Sequence, residues 1–232
     1  MNTLLLRLEG PLQAWGLRAR WEERDSAFEP TKSGVVGLLG CALGLRRDSD
    51  RLRSISDALE MGVRVDRPGD LLIDYHTTGG AKMLDGEPEG MLNAEGKLKR
   101  ETDVSKRTYL MDASFLVALR GPDTLVAELA AALRNPIWPV FLGRKACVPT
   151  CPVLLGVAQY DTVRDALLAQ PLPERAARRS VRLMLEASIG EGVPRNDAIG
   201  VPARRLFWPR AVREEYWTPP DYASNTINTL EG

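Results

Sequence analysis

Pro30-Thr31-Lys32-Ser33-Gly34-Val35-Val36-Gly37-Leu38-Leu39-Gly40-Cys41-Ala42-Leu43-Gly44-Leu45 is the stretch around which the rest of the chain is arranged. Thr31 or Ser33 can cap the first free amides of a helix, and no charge follows Lys32. At about 100° per residue, Gly37, Gly40 and Gly44 cluster on one side with Gly34 at its margin. Val35, Val36, Leu38, Leu39, Leu43 and Leu45 fill the other side. The pattern predicts a helix over 33–45 with one bulky half and one bald half. Each interior glycine costs about 1 kcal/mol relative to alanine, so something must approach the bald side closely.

Two readings of that helix stand side by side. In one, the glycines admit a neighbouring element in close packing. In the other, the free amides, the helix dipole and Lys32 form an anion site, with a phosphate at Thr31, Lys32, Ser33 and Gly34. The stretch is not a P-loop, because its lysine precedes the glycines and the Gly-x-x-x-x-Gly-Lys-Ser/Thr order is missing. The apolar run is also too short to span a membrane.

Outward from the helix, the chain alternates between strands and helices. Residues 3–9 read as a buried strand, ended by Gly10-Pro11, and a polar loop with Trp21 and Phe28 leads to Pro30. Short helices are expected over 51–59 and 161–168, and a longer one over 125–134 before Asn135-Pro136. Strands are expected over 62–66, 71–76, 109–119 and 153–159, and a half-exposed one over 181–186. Between Thr77 and about Lys106 periodicity fails. The tail of that excursion carries Lys97, Lys99, Arg100, Lys106 and Arg107 against Glu101 and Asp103. It reads as a solvated loop or as an arm that orders against a polyanion or a partner. With this insertion set aside, the order is the βαββαβ of an α+β, ferredoxin-like unit. Residues 1–160 form that domain, and 161–232 a smaller extension of strands and loop.

The 232 residues hold 31 basic and 31 acidic side chains, so no global basic field exists and nucleic-acid binding must use local cations. Met1-Asn2-Thr3-Leu4 runs straight into a strand without a signal-peptide pattern, no membrane span is found, and three cysteines suit a reducing, cytoplasmic setting. Cys147 and Cys151 have no second ligand pair and the chain has one histidine, so neither a metal nor a cofactor is expected.

Five segments in order resemble one family: Gly10-Pro-Leu-Gln-Ala-Trp-Gly16, Thr31-Lys-Ser-Gly-Val-Val-Gly-Leu-Leu-Gly40, Asp74-Tyr-His-Thr77, Arg107-Thr-Tyr-Leu-Met-Asp-Ala-Ser-Phe115 and Leu142-Gly-Arg-Lys-Ala-Cys147. The set resembles the CasD family, of the RAMP superfamily, in the type I-E CRISPR Cascade complex. The resemblance runs from about residue 3 to 160. It implies a ferredoxin-like fold with a protruding thumb, here about 77–107. It also implies a grip on the five-prime handle of the CRISPR RNA (crRNA), contacts with CasC backbone subunits at the filament end and with the large subunit CasA, and no cleavage activity.

On that reading a handle phosphate sits at Thr31–Gly34. Trp15, Tyr75, His76 and Tyr109 are candidate stacking or edge-reading groups beside Arg107, Arg144 and Lys145. Each has a structural alternative: Trp15 as core, Tyr109 as part of a buried strand, Arg144-Lys145 as a solvated turn. An enzymatic alternative also stands. His76 with Tyr75, Lys82 or Tyr109 has the residue types of a metal-independent endoribonuclease. A structural adaptor without RNA contact is the third reading.

Overall fold

The computed structural model describes residues 1–17, 22–79, 82–84, 87–93, 95–99, 101–173, 180–188 and 190–219, with backbone alone for 82–84 and 87–89. In chain order the elements are β1 (Asn2–Glu9), β2 (Leu12–Gln13), β3 (Glu23–Arg24), α1 (Lys32–Ala42), α2 (Arg51–Ala58), β4 (Glu60–Arg67), β5 (Asp70–Gly79), β6 (Lys82–Leu84) and β7 (Glu87–Glu89). Then come β8 (Thr102–Met111), β9 (Ser114–Gly121), α3 (Asp123–Arg134), β10 (Leu154–Ala158), α4 (Val163–Leu168), β11 (Val181–Ala187), β12 (Val193–Val201) and β13 (Leu206–Trp217). A seven-stranded sheet runs β10-β1-β9-β4-β11-β13-β12, antiparallel throughout. Its first four strands, with α1 and α3 as the crossovers, have the ferredoxin-like order.

β1 reads as a near-continuous apolar run because both of its faces are covered. Leu4, Leu6 and Leu8 enter the larger core with Val35, Val36, Leu39 and Leu129. Leu5, on the opposite face, packs with Leu116, Ala118, Val163 and Leu167 under α4. The glycine side of α1 is filled largely as steric need dictates. A Cβ on Gly34 would lie 2.8 Å from the Trp15 ring, and one on Gly40 would lie 2.6 Å from Leu52 of α2. Gly44 is not part of the helix. It takes φ +68° and stops it, while Leu45 N donates to Gly40 O at 2.8 Å.

The apolar run 109–119 is two strands, not one. Asp112 adopts φ +53° and breaks it, with Tyr109 ending up in β8 and Phe115 in β9. Gly69, φ +75°, faces that break, and a Cβ there would stand 2.4 Å from Met111 O. β4 pairs β9 as far as Arg67↔Ser114, and β5 pairs β8 from Asp70↔Met111 outward to Gly79↔Thr102. The two ladders are thus one long ribbon with an elbow at 68–69 and 112–113. The outer ribbon is the arm, carrying β6 and β7 as a hairpin beyond it. Its regular pairing begins further inward than residue 77. β8 is flanked on its other edge by β2 and, in parallel, by β3.

β11, β13 and β12 continue the main sheet from the free edge of β4. β11 is not half-exposed: Met184 is buried as well as Val181, Leu183 and Leu185. Ion pairs flank it on the side of α1. Glu29, 4% exposed, accepts from Arg182 at 2.8 Å and from Arg195. Arg64, fully buried on β4, bonds Asp66 and the carbonyls of Leu167, Gln170 and Pro171, tying α4 and the turn after it to the sheet.

Candidate nucleic-acid interface

Four of the motif segments meet at the base of the arm. Ala14 N donates to Leu142 O at 3.1 Å, and a Cβ on Gly143 would collide with Ala14 O at 1.7 Å, so these two loops lie in backbone contact. Arg144 then reaches across to β8 and β3. Its guanidinium donates to the carbonyls of Thr108 at 3.0 Å, Arg24 at 2.9 Å and Asp25 at 3.2 Å, and lies over the Tyr109 ring. Tyr109 is buried. Both residues therefore build the site rather than face outward.

Trp15 is core. It is fully buried, its indole N–H donates to Gln13 Oε1 at 3.1 Å, and its ring lies against Gly34. No face is open for a base. The helix start is likewise closed. Thr31 caps Gly34 N at 3.3 Å, and Lys32 N donates to Asp197 Oδ2 at 3.0 Å. Asp197, on β12, also accepts from Arg210 at 2.6 and 3.0 Å. The Lys32 ammonium is held by Glu186 at 2.8 Å, and Lys32 is only 5% exposed. The anion at this helix start is a carboxylate of the chain itself, supplied from 165 residues away. A handle phosphate at Thr31–Gly34 would have to displace it, so the expected site is corrected to a structural junction.

The arm separates the remaining candidates by face, since side chains alternate along a strand. Tyr75 projects with Leu71 and Ile73, all more than half exposed. His76 lies on the opposite face with Asp74, whose Oδ2 is 3.6 Å from His76 Nδ1. Across the ladder this second face carries Ser105 opposite His76, Arg107 opposite Asp74 and Tyr109 opposite Leu72. The Arg107 Nε is buried and finds no hydrogen-bond partner among the described residues. His76 and Tyr109 sit four positions apart along the ladder, about 13 Å. Tyr75 faces away from both, and the Lys82 side chain lies outside the described residues, as do Trp21 and Arg100. The described members of the endoribonuclease set do not converge on one phosphodiester.

A partly exposed strip runs along α1. Ser33, Gly37 and Cys41 recur every fourth residue, and a Cβ on Gly37 would meet nothing within 4 Å. This glycine is bare where its neighbours are filled. Lys145 and Arg47 act on the Cys41 thiol electrostatically, and neither has a carboxylate partner among the described residues. Burial pushes that thiol up, with the two cations opposing it. Trp138 donates its amide to Cys41 O at 3.1 Å and keeps 41% of its surface exposed. The open glycine thus lies one helical turn before a thiol within electrostatic reach of two cations, and the Trp138 backbone is tied to that same turn. The helical pattern in the sequence puts Gly37 on the bald side with Gly40, and nothing local marks it as the one left uncovered.

Cys147 is buried, Cys151 is half-buried, and burial raises both thiols. Among the described residues no group of three or more His, Cys, Asp or Glu is placed to hold a metal, and no helix is long and apolar enough to cross a membrane.

Residues 3–219 match a protein family described as "CRISPR-associated protein (Cas_Cas5)". Over 180 residues the chain is 36% identical to the CRISPR system Cascade subunit CasD of Escherichia coli (strain K12), covering 71% of this chain and 75% of that protein. Among solved structures, a chain of a "CRISPR RNA-guided surveillance complex" is similar with a TM-score of 0.74 and 32% identity, over 99% of this chain and all of that one. A second, described as "Crystal structure of Cas protein", is similar with a TM-score of 0.69 and 38% identity, over 94% and 95% of the two chains.

Proposed function

The chain belongs to the Cas5 family of CRISPR-associated proteins, and from that premise we propose that it is a non-catalytic subunit of a Cascade-type surveillance complex. It holds the five-prime handle of the crRNA and caps the end of the CasC filament, with CasA as a neighbour. The observation that carries this reading is the full-length likeness, at 32% identity, to a chain solved within an RNA-guided surveillance complex.

The geometry supports a particular path for the RNA. The backbone of the handle runs along the open face of α1, where Gly37 permits a close approach and Lys145 and Arg47 meet phosphates. Trp138 replaces Trp15 as the stacking aromatic. Arg107 and His76 continue the contact onto the polar face of the arm. The scatter of Tyr75, His76 and Tyr109 over two faces and about 13 Å favours holding the strand over cutting it.

Ultraviolet crosslinking of the assembled complex, with the handle labelled, tests the path. Crosslinks are expected in peptides spanning 33–41, 138–145 and 105–109. Crosslinks confined to other segments would overturn the path. A complex that keeps the handle shielded from exonuclease without this chain would overturn the function. Site-specific cleavage of repeat RNA by the purified chain, lost in His76→Ala, would replace it with the enzymatic reading.

A further inference from the structure

The turn joining β12 to β13 has a composition that the RNA path does not use. Arg204 and Arg205 are exposed and have no carboxylate partner among the described residues. Leu206, Phe207 and Trp208 follow, exposed by 49, 45 and 41%. The carboxylates of the two strands are already committed. Asp197 is held by Arg210, Glu214 lies by Arg182, and Glu215 is taken by Arg164 and Arg213. The tip is therefore locally cationic and apolar at once.

We propose that this tip docks a partner protein through an acidic segment flanked by apolar side chains. The inference rests on the chain being a subunit of a larger assembly. Charge complementarity selects the acidic partner: two uncommitted guanidinium groups suit carboxylates, bidentately where geometry allows. Tryptophan and arginine at one hairpin tip are among the residue types that dominate protein–protein hot spots. An RNA strand fits the tip less well. The Arg53 guanidinium lies 4.2 Å over the Trp208 ring, so the stack a base would make on that face is already made. The indole edge meets the backbone of Gly200, where a Cβ would stand 2.6 Å from Nε1. Leu206 offers a base neither a π face nor a polar edge. The Arg53 stack thus fixes one face of Trp208, three residues after Arg205.

The test co-expresses the tagged chain with crRNA and the protein subunits of its complex, and reads subunit composition by native mass spectrometry. Two variants are compared with wild type: Arg204→Glu combined with Arg205→Asn, and Phe207→Ser. Asparagine is chosen at 205 because this residue has φ +53°, which asparagine tolerates. Thermal melting of each isolated variant confirms folding, and binding of a synthetic handle RNA to the isolated variant is measured in parallel. The expected result is at least tenfold lower occupancy of one protein subunit by both variants, with handle binding within twofold of wild type. The loss from the charge variant should grow as salt is lowered relative to wild type, whose contact salt weakens. Wild-type subunit occupancy in the charge variant would overturn the proposal. So would loss of handle binding by the isolated folded variant, which would make the tip an RNA surface. Failure of the handle path with subunit loss intact would leave the tip's role standing alone.

Discussion

The Arg144 guanidinium lies 4.6 Å from the centroid of the Tyr109 ring while its nitrogens serve three backbone carbonyls on two other segments. One side chain thus fastens the 142–147 loop to the arm's inner strand and to the entry of the loop before α1. A lysine keeps the charge but cannot form this planar fork. Arg144→Lys is expected to destabilise the chain by about 2–3 kcal/mol, the scale of charged hydrogen bonds lost without replacement. Urea denaturation measures the loss, and faster hydrogen exchange over 104–111 locates it.

The glycines of α1 separate into two kinds. Gly37→Ala, in open space within a helix, should stabilise by up to about 1 kcal/mol. Gly34→Ala should destabilise by about 1–3 kcal/mol, because its Cβ lands 2.8 Å from the rigid Trp15 ring. Melting curves of the two variants, run together, should move in opposite directions.

Lys145→Glu and Arg47→Glu are expected to weaken handle binding without lowering the melting temperature, since neither side chain holds a carboxylate among the described residues. Each phosphate contact removed should flatten the salt dependence of binding by about one unit of slope. Bound handle RNA should also slow alkylation of the half-buried Cys41. Unchanged alkylation with RNA bound would put the strand elsewhere.

Lys32→Met separates the junction from the interface. It leaves Glu186 without its cation and should cost about 3 kcal/mol, as for removal of one partner of a largely buried pair. Handle affinity per folded molecule should stay within twofold of wild type. A large drop in affinity in the folded variant would restore the helix start as a phosphate site.

Glu215 provides a pH prediction. Its hydrogen bond from Arg164 holds the carboxyl below the usual carboxylate range against its partial burial, and Arg213 adds to the effect. A depressed folded value means the contribution is present above the ordinary carboxylate range and is lost as pH falls through the folded value. Glu215→Gln should therefore be less stable than wild type at pH 7, with the difference closing in acid. Denaturation midpoints at pH 7 and about pH 3 check the sign.

How much of this was legible in the sequence depends on the range of the interaction. The α1 glycines announced a close neighbour, and Trp15 and Leu52 are that neighbour at Gly34 and Gly40. The partners of Lys32 lie 154 and 165 residues away, so no local pattern could reveal that its charge and its amide are both spoken for. The break at Asp112 hides inside an apolar run, because periodicity marks burial and the run is buried on either side of the elbow. The arm failed to show a strand pattern over its outer half because neither face there is core, and alternation needs a buried side to be visible.

The facing left-handed residues Gly69 and Asp112 set the bearing of the arm where it leaves the main sheet. Its reach is set separately, at the far end. Adding or removing matched residue pairs there changes length by about 7 Å for every two per strand, while the direction of aim is untouched. The span of the arm can therefore be lengthened or shortened by evolution with no change at the elbow that aims it.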